Sequence, residues 1–199
     1  LCPSGLVGVD TFWADTPFDA VQRPVQLADT HAHREIQVEM TPQQNWVAAT
    51  DGSHGLALLA PGQYESAVLD QPDRPLCVTL LRGFRRAVFT DGNEGGQIQG
   101  IHCFRMAIRP FAGEIPAADL FQLAQSIAAP ARSVTTEPAD LRHFHPASAT
   151  INHDHPRVEG AVVLTACHLS EGNRWIIRVF NPSGEPRPIR LSGASAWEK

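Results

Sequence analysis

The amino-acid sequence predicts an all-β protein, a large β-sandwich with one short helix. Three observations predict it. Several segments alternate apolar and polar residues with a period of two, as strands with one buried face do. Turn compositions rich in Gly, Asp, Asn, Ser and Pro recur between these segments at sandwich-like intervals, which implies about eight strands or more. One segment alone, AADLFQLAQSIAA from Ala117, spaces its apolar residues as a helix does.

Taken in order, the elements are justified as follows. Val9 to Val25 mixes aromatics with turn residues, and Pro17 and Pro24 argue for an irregular edge rather than a central strand. After the loop-like LADTHAHR, the run REIQVEM places Ile36, Val38 and Met40 inward and Glu35, Gln37 and Glu39 outward. NWVAATDG and HGLALLAPG form a strand pair turned at Asp51-Gly52, a strong hairpin signal. Tyr64 to Leu69 is another strand, ended by QPDRP. The centre of the sheet is expected between Leu76 and Gly113, in the apolar strands LCVTLLRG and GIHCFRMAIRPFAG. The first reads as buried on both faces. The second turns His102, Phe104, Met106 and Ile108 one way and Cys103, Arg105, Ala107 and Arg109 the other. In the helix, Leu120, Leu123, Ala124 and Ile127 make the apolar stripe, with Pro116 in the first turn and Pro130 as the stop. Ala131 to Gly160 is rich in proline and histidine and holds one or two short strands. The chain closes with AVVLTACHLSEG, NRWIIRVFNPSG and PRPIRLSG, the first two joined by a tight turn at Ser170–Asn173.

Composition narrows the function classes. A chain of 199 residues fits one large domain, 1–199, that buries a core without disulfides or metal. A net charge of −5 gives no basic footprint for nucleic acid. No apolar run approaches the ~20 residues of a membrane helix. The start, LCPSGLVGVD, has neither an initiator methionine nor a signal core, so a processed chain or a piece of a longer one is expected. The strand-like PRPIRLSG before GASAWEK suits a C-terminus. Cys2, Cys77, Cys103 and Cys167 show no CxxC spacing. They read as buried free thiols of a reducing, cytoplasmic compartment. Lys199 is the sole lysine among many arginines, the bias of a GC-rich bacterial genome.

Chemistry-bearing constellations are few. His31/His33, His143/His145 and His153/His155 have the i, i+2 spacing that lets a strand grip a metal, yet all lie in loop-like or proline-rich stretches and read as surface histidines. Asp91 and Glu94 near Arg82, Arg85 and Arg86 form the best acid–base group, in a polar loop whose bland reading is a solvated surface. There is no nucleophile elbow and no phosphate-cradling loop. Trp13, Trp46 and Trp175 are candidates for stacking on sugar rings, or for the core.

Several segments, in order, resemble a known family. TFWADTPFDAVQRPVQL, HGLALLAPGQYESAV, LCVTLLRG, the loop through Glu94 and Gly100 into HCFRMAIRPFAG, the AADLFQLAQSIAAP segment and VVLTACHLSEGNRWIIRVFNPSGEP are similar to consecutive segments of the C-terminal β domain of glycoside hydrolase family 38 α-mannosidases. The resemblance covers about residues 10 to 190. It implies a β-supersandwich of the galactose-mutarotase-like kind. It also implies membership in a retaining enzyme that cleaves α-mannosidic bonds with an Asp nucleophile and a zinc ion. In that family both belong to a preceding catalytic domain, so no catalytic residue, metal ligand or cofactor is carried onto this segment. The implied partners are the N-terminal catalytic domain of the same polypeptide and a mannose-containing saccharide, with no nucleic acid or membrane. A loop of such a domain reaches the active-site rim, which makes Arg82, Arg86 and Asp91 the substrate-binding candidates. His168, where the family often has lysine, and Arg109 before Pro110 depart from the pattern. The alternatives are a stand-alone carbohydrate-binding β-sandwich and, more weakly, a cupin-like metal enzyme.

Overall fold

The computed structural model describes residues 1–17, 19–29, 32, 37–84, 96–130, 156–172 and 174–193. Twelve strands and one helix run in the order β1 Thr11–Thr16, β2 Asp19–Pro24, β3 Thr41–Pro42, β4 Trp46–Thr50, β5 His54–Leu59, β6 Glu65–Val68, β7 Leu76–Val78, β8 Ala107–Ala112, α1 Ala117–Ala128, β9 Arg157–Glu159, β10 Val163–Leu169, β11 Trp175–Phe180 and β12 Arg190–Ser192 among the described residues. The all-β expectation with a single helix is met. The chain divides into two compact units, 1–128 and 129–199.

In the first unit an antiparallel sheet has the order β2-β1-β4-β5-β8, and a second sheet has the order β3-β6-β7. Cys2 extends the second sheet, exchanging backbone hydrogen bonds with Leu76 at 2.8 and 2.9 Å. Register decides what each face of the five-stranded sheet covers. Directly paired residues share a face, and the pairs Val47↔Leu58 and Ala49↔Leu56 join Phe12 toward the second sheet. There they pack with Val68 and Leu76, and with Leu6, Val9 and Val25, into one apolar core. The opposite face carries Trp46↔Leu59 and Ala48↔Ala57, all fully buried. Helix α1 lies against β4 and β5 on that side. The Phe121 ring meets Trp46 edge-to-face at 5.4 Å and 84°.

The β4–β5 hairpin therefore occupies the middle. Ala48, Ala49, Ala57 and Ala60 keep its surface low, which lets a sheet and a helix approach it from its two sides. Its turn is built as the sequence predicts. Gly52 takes φ = 90°, a conformation costly for any residue with a Cβ. Asp51 Oδ1 accepts from the Ser53 and His54 amides, both at 2.7 Å.

Four expectations are corrected. The strands at Leu76 and Ile101 do not pair with each other: β7 belongs to the second sheet and β8 pairs with β5 at the edge of the first. Regular pairing of the first strand stops at Val78, and Leu80 and Leu81 are exposed. In the second, pairing begins only at Ala107, and Met106 and Ile108 face solvent. Second, residues 11–24 form a regular hairpin whose first strand is interior. Pro17 falls in the turn and Pro24 at the end of the edge strand, positions where a missing N–H breaks no ladder bond. Third, Gln37–Met40 is not a strand, and Val38 is exposed; Ile36 lies outside the described residues. Fourth, the buried helix face is Ala118, Leu120, Phe121 and Ala124, rotated so that Leu123 is exposed, because the contact with Trp46 draws Phe121 inward.

In the second unit β10 and β11 pair antiparallel with a bulge between Leu164 and Ala166, and β12 pairs with β9. The Ser170 amide donates to the Arg174 carbonyl at 2.8 Å across the predicted tight turn.

Candidate functional site

Of the three residues expected to touch substrate, Arg86 and Asp91 lie outside the described residues, as do Arg85, Glu94 and the histidine pairs. Arg82 is described. It follows β7, is exposed, and its Nη2 donates to Glu65 Oε2 at 2.8 Å. Glu65 opens β6 and is partly shielded. The pair presents a solvated cation beside a fixed carboxylate, an arrangement that can meet hydroxyl groups but holds little binding energy by itself.

Asp15 is the carboxylate that composition and motif reading missed. It is fully buried on β1. Its Oδ1 accepts from the amides of Gln44 (3.1 Å), Asn45 (2.7 Å) and Trp46 (2.9 Å), and its Oδ2 accepts from Asn45 Nδ2 at 2.8 Å. Every near donor points at it, so its work is to pin the turn that launches β4 onto β1.

On the other side of β1 lies a cleft of about 200 Å³. Phe12, Val25 and Val68 form an apolar floor, and Arg23, Gln37, Glu39 and Thr41 supply the polar groups. Arg23 reaches it because it pairs with Phe12 and shares that residue's face. Arg23 Nη1 donates to Thr41 Oγ1 at 2.8 Å, and the same hydroxyl donates to the Ser66 carbonyl at 3.2 Å, fixing β3 over β2. Burial pushes the Arg23 guanidinium below its ordinary range, with the Asp15 charge opposing that shift. The sequence holds no local signal for this cleft, since its polar groups converge only when β3 folds over β2.

The cysteines are free thiols, as expected, but only Cys77 is buried; Cys103 and Cys167 are exposed and Cys2 is intermediate. Burial raises the Cys77 thiol above its ordinary value, and so keeps it unreactive. Trp46 is a core residue with no face for a sugar, whereas Trp13 and Trp175 are half-buried. Among the described residues no group of three or more His, Cys, Asp or Glu side chains is placed to hold a metal. Among them, too, no helix is long and apolar enough to cross a membrane.

Comparison with known proteins bears on this arrangement. Residues 7–91 match the family described as "Glycosyl hydrolases family 38 C-terminal domain". An α-mannosidase from Enterococcus faecalis V583 is similar over 96% of this chain, at 25% identity and a TM-score of 0.73. A protein of glycosyl hydrolase family 38 from Enterococcus faecalis shares the fold over 98% of the chain, at 24% identity and a TM-score of 0.70. This chain spans only 21% and 22% of those two chains. No curated protein matches it. The family match over residues 7–91, which hold β1 to β7, and the same fold along nearly the whole length make this chain similar to the C-terminal domain of the family 38 glycosyl hydrolases.

Proposed function

We propose that this chain is the non-catalytic C-terminal domain, residues 1–199, of a cytoplasmic α-mannosidase. A preceding catalytic domain of the same polypeptide holds the zinc ion and hydrolyses α-mannosidic bonds with retention. This β domain supports it and reaches the rim of its active site, with Arg82, Arg86 and Asp91 toward a mannose-containing saccharide. The observation that carries the reading is the likeness to an α-mannosidase along 96% of this chain while four-fifths of that enzyme lies beyond it. The exposed Arg82, steadied by Glu65, suits the rim role.

The test is an assay of the complete, zinc-loaded gene product with an aryl α-mannoside. Turnover by that protein and none by residues 1–199 alone is the expected result. A folded, zinc-loaded product inert on every α-mannoside overturns the proposal.

A further inference from the structure

We propose that the cleft between β2 and β3 is a binding site for a single neutral sugar ring. Its polar groups keep hydrogen-bonding capacity among the described residues. Beyond the bond to Thr41, the Arg23 guanidinium donates to no acceptor among the described residues. Glu39 makes no hydrogen bond or ion pair among them. Gln37 uses its Oε1 to accept from the Ala28 amide at 3.3 Å, which orients the side chain, and its NH₂ donates to no acceptor among the described residues. A cation and a carboxylate thus line one cleft without closing on each other.

That charge pattern selects the ligand. A free anion is drawn to Arg23 and repelled by Glu39, and a cation meets the reverse. A neutral vicinal diol satisfies both, because each hydroxyl accepts from a guanidinium N–H and donates to a carboxylate. Phe12, Val25 and Val68, core residues only 2–3% exposed, close the floor of the cleft with apolar edges that the C–H edge of a pyranose can meet. At about 200 Å³ the cleft is smaller than the ~300–1,000 Å³ of drug-sized sites, so one ring fits. Thr41 is tied to both sheets through Arg23 and Ser66, so the walls are set before a ligand arrives. A zwitterion is the competing chemistry. The choice of mannose as the sugar rests on the α-mannosidase reading above.

The test uses crystals of the complete gene product soaked in methyl α-mannoside, in parallel with crystals soaked in glycine. The expected result is a pyranose ring in the cleft with hydroxyls against Arg23 and Glu39. Saturation-transfer titration of Arg23→Met and Glu39→Gln then gives an apparent Kd for this site at least fivefold higher than the wild type. Glu39→Gln carries the test if Arg23→Met does not fold, because Glu39 is exposed and makes no hydrogen bond or ion pair among the described residues. A cleft holding only water in the wild type, glycine in place of the sugar, or an apparent Kd unchanged in both variants overturns the inference. Wild-type turnover of an aryl α-mannoside is measured separately, so loss of the function reading and loss of the cleft are told apart.

Discussion

Removing the Asp15 carboxylate is the most informative single perturbation of this fold. One side chain accepts four hydrogen bonds, three of them from consecutive backbone amides. A bond to a charged acceptor contributes about 1.5–3 kcal/mol, but these four share one group and do not add. Asp15→Ala takes the acceptor from the buried Trp46 amide, the part-buried Asn45 amide and the Asn45 side-chain NH₂, while the Gln44 amide keeps the Asp15 carbonyl at 3.1 Å. Each buried donor left without an acceptor costs about 1–3 kcal/mol, and about 3–5 kcal/mol is expected for this set. Asp15→Asn keeps Oδ1 for the three amides and spoils only the Oδ2 contact with Asn45, so about 1–2 kcal/mol is expected. Urea unfolding of the chain, followed by tryptophan fluorescence, reads both values. With a slope of about 2 kcal/mol per molar, the Asp15→Ala midpoint falls by about 2 M and that of Asp15→Asn by less than half as much. A shift below about 0.5 M for Asp15→Ala refutes the reasoning, as does an Asn variant as damaged as the Ala variant.

Two further predictions concern the central hairpin. A Cβ at Gly55 would stand 2.1 Å from Phe111 Cε2 of the neighbouring strand, so Gly55→Ala forces the ring aside and costs about 1–3 kcal/mol. Adding Phe111→Ala to that variant should recover much of the Gly55→Ala penalty, and strict additivity in the double-mutant cycle would contradict the packing account. The Asp51 carboxyl is held below its ordinary value of 3.8, first by the His54 amide and then by the Ser53 amide. A depressed folded pKa means the turn's stabilisation is present above the unfolded carboxylate value and is lost as pH falls through the folded one. The His54 and Ser53 amide resonances should therefore titrate together with a midpoint below 3.8, and a midpoint at or above it would be inconsistent with these hydrogen bonds.

Much of the fold is legible residue by residue. Asp51-Gly52 between NWVAAT and HGLALL specifies a hairpin because local turn chemistry and alternation agree. Pro116 and Pro130 bracket the helix because proline's lost N–H acts locally. The expected centre of the sheet fails for the opposite reason. LCVTLLRG is the most apolar run in its region, but apolarity measures readiness to be buried and not which strand will do the burying. Small alanines on β4 and β5 win the middle because they admit neighbours on both faces. The helix face misses by one position because Leu123 and Phe121 are both apolar, and the Trp46 ring chooses between them.

The site divides in the same way. Arg82 was legible as a cation in a polar stretch, whereas its carboxylate partner, Glu65, is 17 residues away and meets it only in the folded protein. Arg23 read as part of an irregular edge and Glu39 as the outward face of a strand. By itself the sequence determined the class of the fold, the hairpins with strong turns, the helix and, through ordered motifs, the family resemblance. Those signals are carried by neighbours along the chain, within reach of one turn or one strand period. Tertiary structure alone decided which strand lies in the middle, that Asp15 is a buried anchor, and that Arg23, Gln37, Glu39 and Thr41 surround one cleft. Those outcomes depend on long-range pairing, where register places distant side chains on a common face and burial removes the water that would otherwise satisfy them.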